Sequence, residues 1–184
     1  MGASVATGSD RMSDSSYRFL IAAFALLDLI YPYIGRRVRR FGIREGMTVV
    51  DYGCGPGRYT TWFAKLVGRN GTVYAVDVHE MAIEAVRRRV GRQRLGNVIP
   101  VLADGYHSDV PEHIADIVCA IDMFFSVSEP TAFLAELKRI AKEDGVLVID
   151  DGHQPRATTK KKLAASGHWT IYQETRDHLK CRPT

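Results

Sequence analysis

The sequence predicts an α/β domain, doubly wound around a mostly parallel sheet. Three observations predict it. Apolar runs recur at Val49–Val50, Val73–Val76, Val98–Leu102, Ile117–Ile121 and Val146–Ile149, and each ends at or beside an acid: Asp51, Asp77, Asp104, Asp122 and Asp150–Asp151. Helix-like segments separate most of them, which is the alternation that builds a parallel sheet from strand–helix–strand units. A loop with glycine at every second position, Gly53, Gly55 and Gly57, follows the first run and opens onto the helix-like Thr60–Val67. In open α/β sheets such a turn lies at the carboxyl ends of the strands, where ligands bind.

The loop carries the chemistry. Without a Cβ, glycine lets backbone come close to a ligand. The helix start beyond it adds unpaired N–H groups and a partial positive charge. The spacing here is D-x-G-x-G-x-G, running from Asp51 to Gly57, and not the G-x-G-x-x-G of a dinucleotide fold. That pattern resembles motif I of the class I S-adenosylmethionine-dependent methyltransferases, and the likeness extends over residues 42–153. Asp77 stands twenty residues beyond Gly57, where an acid accepts ribose hydroxyls in either kind of cofactor site. The resemblance implies a seven-stranded Rossmann-like sheet with an antiparallel last strand, and S-adenosyl-L-methionine as cofactor. It also implies roles. Gly53, Gly55 and Gly57 admit the methionine part. Asp51 orients the loop or meets the cofactor amino group. Asp77 takes the ribose, with Val78 beside the adenine. Asp104 and Gly105 reach the adenine edge, and Asp122 faces the methyl group. The reaction expected is methyl transfer to a small, fairly apolar molecule, giving S-adenosylhomocysteine. Two other classes stay open: a non-catalytic S-adenosylmethionine-binding regulatory module and a nicotinamide-dependent oxidoreductase.

Composition bounds these readings. The chain has 184 residues, 46% of them apolar, enough for one domain with a buried core. Twenty-five basic residues against 21 acidic ones give a net charge of +4, too mild to mark a nucleic-acid binder. The three cysteines, Cys54, Cys119 and Cys181, are far apart and form no C-x-x-C, so neither a zinc site nor a disulfide framework is indicated. The scattered histidines suggest no metal cluster. A cytoplasmic protein is expected, with no secretory signal.

In chain order, residues 1–14 are small and polar, expected as a disordered tail. Residues 15–41 form an N-terminal segment ahead of the methyltransferase domain proper, 42–184. Its apolar run from Phe19 to Leu27 is interrupted by Asp28, closed by Pro32 and followed by Arg36, Arg37, Arg39 and Arg40. Three readings stand: a helix packed on the core, a lid over the site to which Tyr17 belongs, or an interfacial anchor making peripheral membrane contact through residues 16–40.

Gly68 is expected to cap the first helix, and Asn70–Gly71 to turn into the second strand. His79–Arg94 reads as the next helix; its arginines form a charged end without the interleaved aromatics of a nucleic-acid surface. The fourth strand is expected over Asp116–Asp122 and lacks a following Pro-Pro, which argues against amino-methylation of bases. Phe124 and Phe125 are expected to wall an acceptor pocket. Ser128 or Thr131 is expected to cap the helix through Ile140. Asp144–Gly145 turns into the fifth strand. Beyond it, His153 is the candidate general base, with Asp151 to hold its tautomer. Lys160–Lys162 reads as a solvated helix face. Trp169–Glu174 and His178–Arg182 read as a closing hairpin. The sequence does not indicate the oligomeric state.

Overall fold

The computed structural model describes residues 13–16 and 33–184. Seven strands form one sheet: β1 (Thr48–Tyr52), β2 (Thr72–Asp77), β3 (Val98–Leu102), β4 (Ala115–Ala120), β5 (Ala141–Ile149), β6 (Trp169–Glu174) and β7 (Leu179–Pro183). Their order is β3-β2-β1-β4-β5-β7-β6. The first five run parallel, and β7 is antiparallel to both β5 and β6. The expected seven-stranded α/β sheet with its antiparallel final strand is therefore present.

The helices cover both faces, as a parallel sheet requires. Among the described residues these include α1 (Tyr33–Val38), α2 (Thr60–Val67), α3 (Glu80–Gln93), α4 (Pro130–Ile140) and α5 (Arg156–Ser166). Side chains alternate across each strand, and the core divides accordingly. Val50, Tyr52, Val118, Ala120, Leu147 and Ile149 face Phe133, Leu134, Leu137 and Ile140 of α4 and Leu163 of α5. Val49, Val73, Ile117, Cys119 and Val148 face Ile34 and Val38 of α1 and Phe63, Ala64 and Val67 of α2. Ala75 packs on Ile83 and Val86 of α3.

Helix α1 packs on this second face. A Cβ on Gly35 would lie 2.7 Å from the Trp62 ring, so only glycine lets α1 approach α2 this closely. Ile34, Val38 and Phe41 are buried at helical spacing, and Arg37 lies on the same stripe at 5% exposure. That corrects the anchor reading for Arg37, whose guanidinium faces the protein interior. Arg40 pairs with Asp177 at 2.9 Å. Tyr17 and the run from Phe19 to Pro32 lie outside the described residues. Among the described residues no helix is long and apolar enough to cross a membrane.

Several local expectations change. Helix α3 begins after His79, whose Nδ1 accepts the Met81 N–H at 3.2 Å, so the histidine is its cap. Helix α4 has no side-chain cap, and Pro130 occupies its first turn, where a missing N–H costs nothing. Ser128 instead lies 3.0 Å from the Tyr106 hydroxyl. β5 begins at Ala141, and its pairing with β4 jumps from Ala115↔Ala141 to Ile117↔Val146. The expected turn at Asp144–Gly145 survives as the bulge between them. The lysine run is not simply solvated: Lys160 pairs with Glu174 at 2.5 Å, and Lys162 Nζ lies 5.0 Å from the centre of the Phe124 ring.

Candidate active site

The order β2-β1-β4 places a topological switch point between β1 and β4. Connections leave it in opposite directions, which opens a crevice at the carboxyl edge. Asp51, Asp77, Asp104 and Asp122 all belong to this edge, in or just beyond β1, β2, β3 and β4.

The glycine loop is built for close approach. Gly53, Gly55 and Gly57 have φ of +76°, +51° and +78°, and a Cβ on Gly53 would stand 2.8 Å from Met123 Cγ. Left-handed backbone in so narrow a space excludes other residues. The loop is tied to β2 by Asp77. One oxygen accepts the Gly55 N–H at 2.9 Å, the other the His79 N–H at 2.9 Å. Burial pushes the Asp77 carboxyl up, against the pull of those backbone donors. Each oxygen keeps a lone pair for a further donor.

Asp51 is 2% exposed and accepts a 2.5 Å bond from Thr60 Oγ1 in the first turn of α2. Burial pushes its carboxyl up to about 7, partly offset by Thr60. It therefore holds the helix start, and Thr60 is a partner the sequence reading did not name.

Asp104 is exposed and bridges to His107 across a short loop, with its N–H to the His107 carbonyl at 2.9 Å. Gly105 takes a φ of +59°. The loop is braced from behind. Glu136 of α4 accepts from both the N–H and hydroxyl of Ser108 at 3.0 Å. Arg139 donates to the carbonyls of Ser108 and Val110 at 3.0 and 2.9 Å, and the Tyr52 hydroxyl to that of Tyr106 at 2.8 Å. Val78 is half-buried beside Asp77.

Asp122 sits past β4 in left-handed backbone, φ +59°. This explains why β4 stops at Ala120 and does not continue to the acid. The Asp122 carboxylate accepts from Arg37 at 3.2 Å and from the Tyr59 hydroxyl at 3.0 Å. Its own N–H donates to Asp150 Oδ1 at 2.9 Å. Arg37 also bonds the other Asp150 oxygen, the Tyr59 oxygen at 2.6 Å and the Asp177 carbonyl at 3.1 Å. Burial alone would raise Asp122, but a hydrogen bond from the Asp150 carboxyl to its side chain and the Arg37 charge hold its carboxyl below the usual range. Asp150 is pushed up to about 7 by burial and by Asp122. Arg37 and Asp150 were not read as site residues. The available signal was the stripe Ile34, Val38, Phe41, which has Arg37 on its face.

The acceptor side changes most. Phe124 is fully buried and belongs to the core with Phe133; it walls no pocket. Phe125 is 36% exposed and meets the exposed His153 edge-on at 4.8 Å. Asp151 does not hold His153: it accepts from Arg156 at 2.6 Å. Among the described residues no group of three His, Cys, Asp or Glu side chains is placed to bind a metal.

Comparison with known proteins agrees with this geometry. Residues 50–149 match the family model described as a methyltransferase domain. The chain is similar to the ubiquinone/menaquinone biosynthesis C-methyltransferase of Burkholderia vietnamiensis, 32% identical over 116 residues, covering 61% of this chain and 46% of that protein. It thus spans about half the length of the curated relatives it matches. Among solved structures it is similar to an S-adenosylmethionine-dependent methyltransferase from Aquifex aeolicus, with TM-score 0.79 and 25% identity over 95% of this chain and 100% of that one. A TehB-like methyltransferase from Corynebacterium glutamicum shares the fold, with TM-score 0.72 and 16% identity over 94% and 100% of the two chains. With its glycine loop, its row of strand-end acids and its matched domain, the chain belongs to the class I S-adenosylmethionine-dependent methyltransferase family.

Proposed function

We infer that the chain moves the activated methyl group of S-adenosylmethionine to a small, fairly apolar acceptor and leaves S-adenosylhomocysteine. The observation that carries this is the row Asp77, Asp104 and Asp122 along one carboxyl edge, on both sides of the switch point, with the glycine loop bonded to Asp77. The donor's methyl is activated by its own sulfonium charge, so the chain's task is to bind, orient and exclude water. Gly53, Gly55 and Gly57 admit the methionine end, above Asp51. Asp77 holds the ribose, Val78 flanks the adenine, and Asp104 with Gly105 meets its edge. Asp122 stands at the methyl end. Phe125 supplies an apolar wall, and His153 is the candidate base where the acceptor must lose a proton. The relative from Burkholderia vietnamiensis, named as a C-methyltransferase of quinone biosynthesis, supports an acceptor of this apolar kind.

A second reading, a cofactor-binding regulatory module, is favoured by one observation: Arg156 occupies Asp151, leaving His153 without that carboxylate. Calorimetric titration with S-adenosylmethionine and a nicotinamide dinucleotide tests the cofactor, and release of S-adenosylhomocysteine across a panel of quinols, phenols and small metabolites tests turnover. Binding of the nicotinamide alone overturns the methyltransferase reading. Tight S-adenosylmethionine binding with no turnover on any acceptor supports the regulatory one.

A further inference from the structure

The cluster Arg37, Tyr59, Asp122 and Asp150 is more than a clasp for α1. Its charges are layered. The Arg37 and Asp150 side chains are 5% and 4% exposed, and that of Asp122 is 49% exposed. The cation thus lies buried behind, and one carboxylate faces out at the methyl-donor end of the crevice. Two of its contacts are donors to that carboxylate, Arg37 at 3.2 Å and Tyr59 at 3.0 Å. Its backbone is strained into left-handed conformation, a cost that persists only where surrounding bonds over-determine it. Tyr59 is itself held by Arg37 at 2.6 Å.

A carboxylate beside a second carboxylate readily gives up its charge, because two acids sharing a site take up a proton. Here the buried Asp150 is the member that takes the proton, and the guanidinium bonded to both leaves the charge on Asp122; its fork suits two acceptors at once. Resting on the methyltransferase reading above, we propose that Arg37 is a positioning residue that fixes Asp122 as an outward negative charge, and that this charge distinguishes the sulfonium donor from its neutral thioether product. The donor and S-adenosylhomocysteine share the same adenosine and amino-acid groups and differ in one methyl and one positive charge. Asp122 attracts the first and has no charge to attract in the second, so loss of the methyl weakens the hold on the product.

The ratio of dissociation constants, S-adenosylhomocysteine over S-adenosylmethionine, isolates this effect at one pH and ionic strength. A merely structural loosening weakens both ligands alike and leaves the ratio unchanged. Asp122→Asn keeps the Arg37–Asp150 pair and is expected to lower the ratio about tenfold, a half-exposed charge acting through an effective dielectric well above that of dry protein. Arg37→Met is expected to lower it about tenfold as well, since Asp122 then loses its own 3.2 Å donor and the anchor that holds Tyr59, and its charge is no longer fixed in place. Arg37→Lys, which keeps a buried cation but cannot span Tyr59, Asp122 and Asp150 together, is expected to lower it about threefold. Should Arg37→Met fail to fold, Asp122→Asn and Arg37→Lys decide the matter. A wild-type ratio in Asp122→Asn, or in any folded Arg37 variant, overturns the proposal while leaving the methyltransferase reading intact. A wild-type chain that binds neither ligand overturns both.

Discussion

Arg156 Nε donates to Asp151 Oδ2 at 2.6 Å, and this pairing removes the carboxylate closest in sequence to His153. The same guanidinium reaches the carbonyls of Thr175 and Arg176 at 3.0 and 3.2 Å, so it ties the start of α5 to the hairpin turn. Arg156→Met is expected to cost about 1–3 kcal/mol, since half-buried acceptors lose their donor. Urea unfolding measures it, and an unchanged midpoint would show the staple to be idle.

As the proposed base, His153 acts without Asp151 behind it. His153→Ala is expected to leave the dissociation constant of S-adenosylmethionine within about twofold and to lower turnover about 10²–10⁴-fold on acceptors that must lose a proton. Unchanged turnover on such an acceptor removes the histidine from the reaction.

Asp77 carries two backbone N–H groups, from Gly55 and His79, besides its proposed ribose bonds. Asp77→Ala is expected to weaken S-adenosylmethionine by about 1.5–3 kcal/mol, the worth of hydrogen bonds to a charged group. Calorimetry reads this directly. An unchanged affinity places the ribose elsewhere.

Asp51, with its carboxyl pushed up to about 7 by burial, makes stability depend on pH in a defined sense. The folded protein binds this proton more tightly than the unfolded chain does, so the contribution is full below pH about 4 and is lost as pH rises to about 7, with nothing further above. The slope approaches about 1.4 kcal/mol per pH unit within that window. In Asp51→Asn this fall disappears, so the variant gains on wild type between pH 4.5 and 8. Parallel unfolding curves at the two pH values check it, and a constant difference contradicts it.

Glu136 and Arg139 brace the Asp104 loop from α4, 2.7 Å apart. Glu136→Ala strands the Ser108 N–H and takes the carboxylate from Arg139, which keeps only its carbonyl acceptors, and is expected to cost about 1–3 kcal/mol. Amide exchange should quicken across residues 104–110 before it quickens in β3. Uniform quickening would show that the brace serves global stability only.

Much of the fold is written locally. Apolar runs closed by acids mark the five parallel strands because a strand buried on both faces has little room for polar side chains. The glycine loop is legible because left-handed backbone pressed against Met123 tolerates no Cβ. Boundaries were less legible where tertiary demands intrude: β4 ends before Asp122 because that residue turns out of the sheet, and β5 starts early because a bulge absorbs Asp144–Gly145.

By itself the sequence determined the sheet, the glycine turn and the row of acids, since each follows from the conformations and burial that neighbouring residues can share. Only the tertiary structure decided which charges meet. Arg37 and Asp150 are 113 positions apart, Glu136 and Ser108 are 28, and Asp151 chooses Arg156 over His153. Ion pairs depend on distance in space and on lost water, and neither is encoded in the spacing of residues along a chain.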